Sequence, residues 1–164
     1  MNDGIVIRTG TPADHEAVVD VWRAAATARR GGTVAPPEHE QRVRSRFTLP
    51  GVWLVVADDD GEVVGMTSGM PAREDDGEGD DIPGLCHLSL VFVLPPWWGR
   101  GVGGLLVDAA LAEARARDYL RMQLWTHEDN VRAQRLYAGR GFGRDGRTMD
   151  DDRGDPIGLW VRDL

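Results

Sequence analysis

Cysteine is almost missing from this 164-residue chain, which has only Cys86. One thiol excludes an intramolecular disulfide framework and suits a reducing compartment, so the expected location is the cytoplasm. Cys86 lies in the apolar run LCHLSLVFVL, where a small buried side chain is expected rather than a nucleophile. Long hydrophobic runs are missing too. The most apolar stretch, around residues 88–98, falls well short of the roughly 20 residues needed to cross a bilayer. The opening MNDGIVIRTG has no apolar segment of the signal-peptide kind. Positive charge is in deficit: 27 acidic against 19 basic side chains give a net charge of −8. That balance argues against nucleic acid or an anionic membrane as partner. It suits a cationic or amine-bearing substrate, and it equally suits plain solubility.

What the chain does contain is a globular composition, 41% hydrophobic and 28% charged, with length enough for one domain over 1–164. A short strand GIVIR (4–8) precedes a helix that Thr11, Pro12 and Asp14 start, with Val18, Val21, Trp22 and Ala25 as its buried stripe. The segment GGTVAPP ends it, and EHEQRVRSRF reads as a second, polar helix. Two β-rich runs, 52–58 and 62–70, flank the turn DDG as a hairpin. The acidic stretch 71–84 reads as a solvated loop. Residues 85–94 alternate as a central strand with Cys86, Leu88, Leu90, Phe92 and Leu94 on a core face and His87 and Ser89 on the other. A helix follows with Val102, Leu105, Leu106 and Ala109 on its buried face and an exposed Glu113–Arg117 pair. After a strand at 119–126, Asn130 caps a helix carrying Ala133, Leu136 and Tyr137, ended by Gly141. Strands at 142–149 and 157–162 close an order of β-α-α-β-β-β-α-β-α-β-β, an α+β (mixed α/β) fold.

Four glycines, Gly99, Gly101, Gly103 and Gly104, lie between the central strand and the next helix in VFVLPPWWGRGVGGLL. Glycines there let the backbone turn tightly or approach a ligand closely. The first N–H groups of a helix lack intrahelical partners and the helix dipole adds positive potential, so this arrangement suits a pyrophosphate. Arg100 adds a full charge. Read literally, Gly99-x-Gly101-x-x-Gly104 is also the dinucleotide pattern, although PPWW and the preceding elements put it outside the usual first βαβ unit.

Two stretches together explain more. VLPPWWGRGVGGLL (93–106), followed by NVRAQRLYAGRGF (130–142), resembles the GNAT acetyltransferase superfamily, with flanking elements in that superfamily's order. The resemblance implies a mostly antiparallel twisted sheet of six to seven strands with helices on both faces. It implies acetyl-CoA as cosubstrate, in a cleft beside the central strand. The main chain at Val91 and Val93 would pair with the pantetheine arm. The loop Trp98, Gly99, Arg100, Gly101, Val102, Gly103 and Gly104 would hold the pyrophosphate, and Asn130, Ala133 and Tyr137 would meet the cofactor from the next helix. Trp98 stands where the superfamily usually has glutamine or arginine, which bears on binding strength. No metal is implied.

By the same resemblance Tyr137 is the acid that protonates the departing thiolate, a role a phenol with a pKa of about 10 can fill. His87 falls where some members carry a base, and a histidine can accept a proton near neutral pH. Ser89 would order a relay water. Read as plain residues, Tyr137 is equally a core aromatic and His87 a structural strand histidine. The acceptor is a small-molecule or peptide amine, with Trp22, Arg29, Arg30 and EHEQRVR on its side of the fold. The alternatives are a non-catalytic acyl-CoA-binding sensor and an NAD-type dinucleotide-binding protein. A homodimer is compatible with the sequence.

Overall fold

The computed structural model describes residues 4–164; the first three residues of MNDGIVIRTG lie outside the described residues. The elements are β1 (Ile5–Thr9), α1 (His15–Arg29), α2 (Pro37–Arg46), β2 (Trp53–Asp59), β3 (Glu62–Arg73), β4 (Asp81–Val93), α3 (Val102–Ala116), β5 (Arg121–His127), α4 (Val131–Ala138), β6 (Gly143–Asp150) and β7 (Pro156–Asp163). Their order is the one the sequence predicts. Seven strands form one sheet in the order β1-β2-β3-β4-β5-β7-β6. The β4–β5 pair is parallel, whereas β1–β2, β2–β3, β5–β7 and β6–β7 are antiparallel. Among the described residues no helix is long and apolar enough to cross a membrane. The chain divides into two compact units, one running to Met70 and including Leu90–Ala110, the other comprising Pro71–Ser89 and Leu111–Leu164.

In the first unit, Pro12–Asp14 form a 3₁₀ turn leading into α1, and the Asp14 carboxylate accepts the Thr11 backbone N–H at 2.8 Å. Two guanidinium N–H groups of Arg8 reach Asp14 at 2.9 Å, and these bonds hold its carboxyl down at about 2. The predicted α1 stripe is buried: Val18, Val21, Trp22 and Ala25 are all inside. Val18, Val21 and Trp22 pack with Val43, Phe47, Leu54, Val56, Met66 and Leu90. The β2–β3 turn has Asp60 at φ 51° and Gly61 at φ 93°, two left-handed residues as a tight hairpin with right-twisted strands requires. Gly65 on β3 is a point of close approach. A Cβ there would come within 3.0 Å of Leu106 and 3.3 Å of Val102, so the glycine lets the start of α3 settle onto the strand.

The α3 face needs correction. Val102 and Leu106 are buried as expected, but Leu105 is 38% exposed and Ala109 only half-buried. Burial instead follows Val102, Leu106, Val107 and Ala110, and continues on Leu111 and Ala114. At 100° per residue these occupy one half of the helix, and Leu105 falls outside that arc. The core alternation of β4 also fails at its end, where Phe92 and Leu94 are half-buried and Val93 is buried.

In the second unit, the stretch 71–84 is not simply a solvated loop. β3 continues to Arg73 and β4 begins at Asp81, joined by the Glu74 N–H to Asp80 carbonyl bond at 2.9 Å and the Arg73–Asp81 ion pair at 3.1 Å. The loop is thus shorter than predicted: the acids at 74–80 lie in an exposed turn, while 71–73 and 81–84 belong to the strands on either side. The strand β5 buries Met122, Leu124 and Thr126 and leaves Gln123, Trp125 and His127 half-exposed on its other face. Cys86 is fully buried, as its apolar run predicts. The Glu113–Arg117 pair forms at 2.8 Å.

Candidate active site

The glycine loop belongs to the first unit. Past the end of β4, the Leu94 N–H bonds the Val64 carbonyl at 2.8 Å, and Pro95–Trp97 form a single 3₁₀ turn. The Trp97 and Trp98 N–H groups close that turn on the Leu94 and Pro95 carbonyls, at 2.9 and 3.1 Å. Two prolines fix φ where the chain leaves the sheet. Gly99 at φ 76° and Gly101 at φ 82° then take left-handed conformations that side-chain-bearing residues avoid. This backbone path delivers the chain to α3 at Val102. A Cβ on Gly99 would meet nothing within 4 Å, so the space beside it is open. The Arg100 guanidinium lies over the Trp97 ring, 4.9 Å from its centroid, which keeps a cation at the loop. Trp98 is half-buried, and its indole Nε1–H donates to the Val93 carbonyl at 2.7 Å. Val91, Val93 and residues Trp98–Gly104 thus form one continuous strand–turn–helix segment. The sequence marks Trp98 as an oddity but gives no sign of its bond to Val93.

In the second unit, β4 and β5 pair in parallel through Leu85–His87 and Arg121–Gln123. Beyond that point β5 continues to His127 with β7 as its partner, from Leu124–Trp160 to His127–Ile157. His87 therefore stands at the last rung. It is half-buried, with Nδ1 at 3.5 Å from Gln123 Nε2, and Gln123 is a neighbour the sequence reading does not name. Ser89, also half-buried, lies two residues further along β4.

Asn130 caps α4: its Oδ1 accepts the Ala133 N–H at 3.2 Å. The same corner is braced by Gln134, whose Nε2 donates to the His127 and Glu128 carbonyls at 3.1 and 2.8 Å. One turn on, Tyr137 is 7% exposed and meets Phe142 edge to face, with centroids 5.8 Å apart. Burial pushes its phenol above the ordinary value of about 10. α4 ends at Ala138, with Gly141 at φ 85° following it.

A further cluster joins the end of β5 to the β6–β7 turn. His127 Nε2 lies 2.8 Å from Asp151 Oδ2, while Asp151 Oδ1 accepts the Arg153 and Asp155 N–H groups, each at 2.9 Å. Burial alone would raise the Asp151 carboxyl, but the His127 contact and these backbone bonds hold it below its usual value. Ligand-type atoms of His127, Asp151 and Asp155 come within 4.8 Å of one another. Both Asp151 oxygens are already engaged, so the cluster pins the β6–β7 turn to the end of β5. The pair is 24 residues apart, and no local pattern announces it.

A mixed sheet with a central strand running through a glycine turn into a helix, and a parallel β4–β5 pair that ends partway, defines a mixed α/β domain. More particularly, the chain belongs to the acetyltransferase (GNAT) family, whose family model matches residues 17–142. A mycothiol acetyltransferase of Stackebrandtia nassauensis is 31% identical over 144 residues, covering 86% of this chain and 45% of that protein. The chain thus spans less than half the length of that curated relative. Among solved structures, a GCN5-related N-acetyltransferase from Kribbella flavida superposes with a TM-score of 0.77 at 24% identity, covering all of both chains. The PaiA N-acetyltransferase of Thermoplasma acidophilum, solved in complex with coenzyme A, gives 0.69 at 18% identity, covering 98% of this chain and 99% of that one. At these identities the two structures speak to the fold.

Proposed function

We infer that the chain is an acetyl-CoA-dependent N-acetyltransferase acting on a primary amine of a small molecule or peptide. The observation that carries this reading is the loop itself, with left-handed Gly99 and Gly101, open space beside Gly99 and a resident Arg100 immediately before a helix start. Those features fit a diphosphate, which needs backbone N–H donors, a cation and no Cβ in the way.

Acetyl-CoA would supply a thioester carbonyl for direct attack by the amine, through a tetrahedral intermediate whose collapse would break the carbon–sulfur bond and release the thiolate. The chain's own groups then have three tasks. In the first unit, Gly99, Arg100, Gly101, Val102, Gly103 and Gly104 hold the pyrophosphate, while Val91 and Val93 offer main-chain groups to the extended arm. In the second unit, His87 accepts the proton that the ammonium or attacking amine must lose, directly or through a water at Ser89. On α4, Asn130 and Ala133 set the start of the helix, and Tyr137 gives a proton to the departing thiolate. The whole is proposed as one domain over 1–164.

The test is release of free CoA thiol from acetyl-CoA across a broad amine panel, with thermal stabilisation by CoA and by NAD measured in parallel. Thiol release dependent on an amine, with stabilisation by CoA, supports the assignment. Stabilisation by NAD but not by CoA sinks it. All 19 basic side chains are arginine, so lysine self-acetylation cannot supply the signal. With an accepted amine in hand, His87→Ala is expected to alter the ascending limb of the kcat/KM pH profile. An unchanged limb removes His87 as the base.

A further inference from the structure

The geometry points to Trp98 as a positioning residue whose indole latches the glycine loop to the end of the central strand, so that the cofactor meets a loop already in place. This rests on the acetyl-CoA reading of the loop. The Nε1–H to Val93 carbonyl bond, at 2.7 Å and partly buried, spans the 3₁₀ turn and closes a ring through Val93, Leu94, Pro95, Pro96, Trp97 and Trp98. On one side of the ring, Leu94 is fastened to β3 through the Val64 carbonyl at 2.8 Å. On the other side the chain passes at once into Gly99 and Gly101, left-handed residues without side chains, with Arg100 between them stacked on Trp97. The indole bond is the clamp that joins the anchored part to the glycine part.

Trp98 stands where the superfamily pattern has a long polar side chain. Here the donor faces back into the protein's own main chain, and Arg100, stacked on Trp97, is the cation at the loop. The task of Trp98 is therefore preorganisation. Without the latch, the loop spends part of its time in positions that cannot hold a diphosphate, and apparent affinity falls by the fraction that remains competent. The Val93 carbonyl is also committed to the indole. An extended ligand laid along the strand end must share that oxygen or use the neighbouring main-chain groups.

Trp98→Phe keeps the ring and removes only the donor. Two measurements test it: CoA binding by calorimetry, and amide hydrogen exchange of the unliganded protein across residues 94–98. The Kd for CoA is expected to rise about fivefold, the scale of one lost partly buried hydrogen bond, with KM for acetyl-CoA rising in step and kcat changing less than twofold. Exchange at Leu94, Trp97 and residue 98 should quicken at least as much in the free protein, and the difference should close when CoA is saturating. A weaker Kd with unchanged exchange overturns the latch, because the indole would then be touching the ligand itself. Faster exchange with an unchanged Kd also overturns it, since the bond would then be structural only. A wild-type protein that binds no CoA is a different failure: it removes the reading of the site, and the exchange comparison alone then reports whether the clamp exists.

Discussion

Tyr137→Phe is expected to lower turnover with any accepted amine by about a hundredfold or more while CoA binding stays within a few-fold of wild type. The substitution conserves the ring that meets Phe142 edge to face at 5.8 Å, so the packing of α4 is kept and only the hydroxyl is lost. Burial raises the phenol above its ordinary value, which means it carries its proton at every working pH. A group that must be protonated to act, and whose pKa has moved up, causes no loss of activity as pH climbs to about 10. Any descending limb below that point belongs to another group. A raised pKa also makes the phenol a weaker acid, but the same dry surroundings disfavour a thiolate, so both partners in the transfer shift in one direction. The mutant should show slower thiol release in a single turnover as well as in steady state. Equal turnover in Tyr137→Phe and wild type would return Tyr137 to the role of a core aromatic, which its packing against Phe142 also suits. If instead the wild type acetylates no amine while still binding CoA, the non-catalytic coenzyme-binding module becomes the better reading.

The features legible in the sequence are those whose cause is local. The Thr11–Asp14 start of α1, the Asn130 cap of α4, the Asp60–Gly61 turn and the glycine loop each depend on a few adjacent residues, and each appears where expected. The element order was legible for the same reason, because periodicity is a property of each segment alone. The misses have non-local causes. Leu105 is apolar and helically spaced, yet which half of α3 is buried is decided by Gly65 and the strand it rides on. The stretch 71–84 is a loop only at 74–80; its ends are strand, because β-ladder bonds use the main chain, which composition does not report. The Trp98 clamp and the His127–Asp151 pair join groups whose meeting depends on the completed fold. The candidate site was legible only as far as its motif segments. Partners such as Gln123 came from strand register, fixed when β4 and β5 pair at Leu85–His87.

Gly99→Val is expected to weaken CoA binding about thirtyfold, well beyond what backbone strain explains. At φ 76° a valine pays about 1–2 kcal/mol for left-handed geometry, which appears as lower thermal stability. The free protein offers no clash to add to this, because a Cβ on Gly99 meets nothing within 4 Å. If that open space is where the diphosphate sits, the isopropyl group occupies it and displaces at least one charge-assisted backbone bond, worth about 1.5–3 kcal/mol. A matched control separates the two effects. Gly154, in the β6–β7 turn, has φ 83° and likewise nothing within 4 Å of a Cβ, so Gly154→Val carries the same strain far from the loop in sequence. The two variants should lose similar thermal stability, and only Gly99→Val should lose affinity for CoA by calorimetry. Equal affinities in both would mean that the diphosphate does not lie beside Gly99, and the strand–turn–helix segment would then be a tight turn and nothing more.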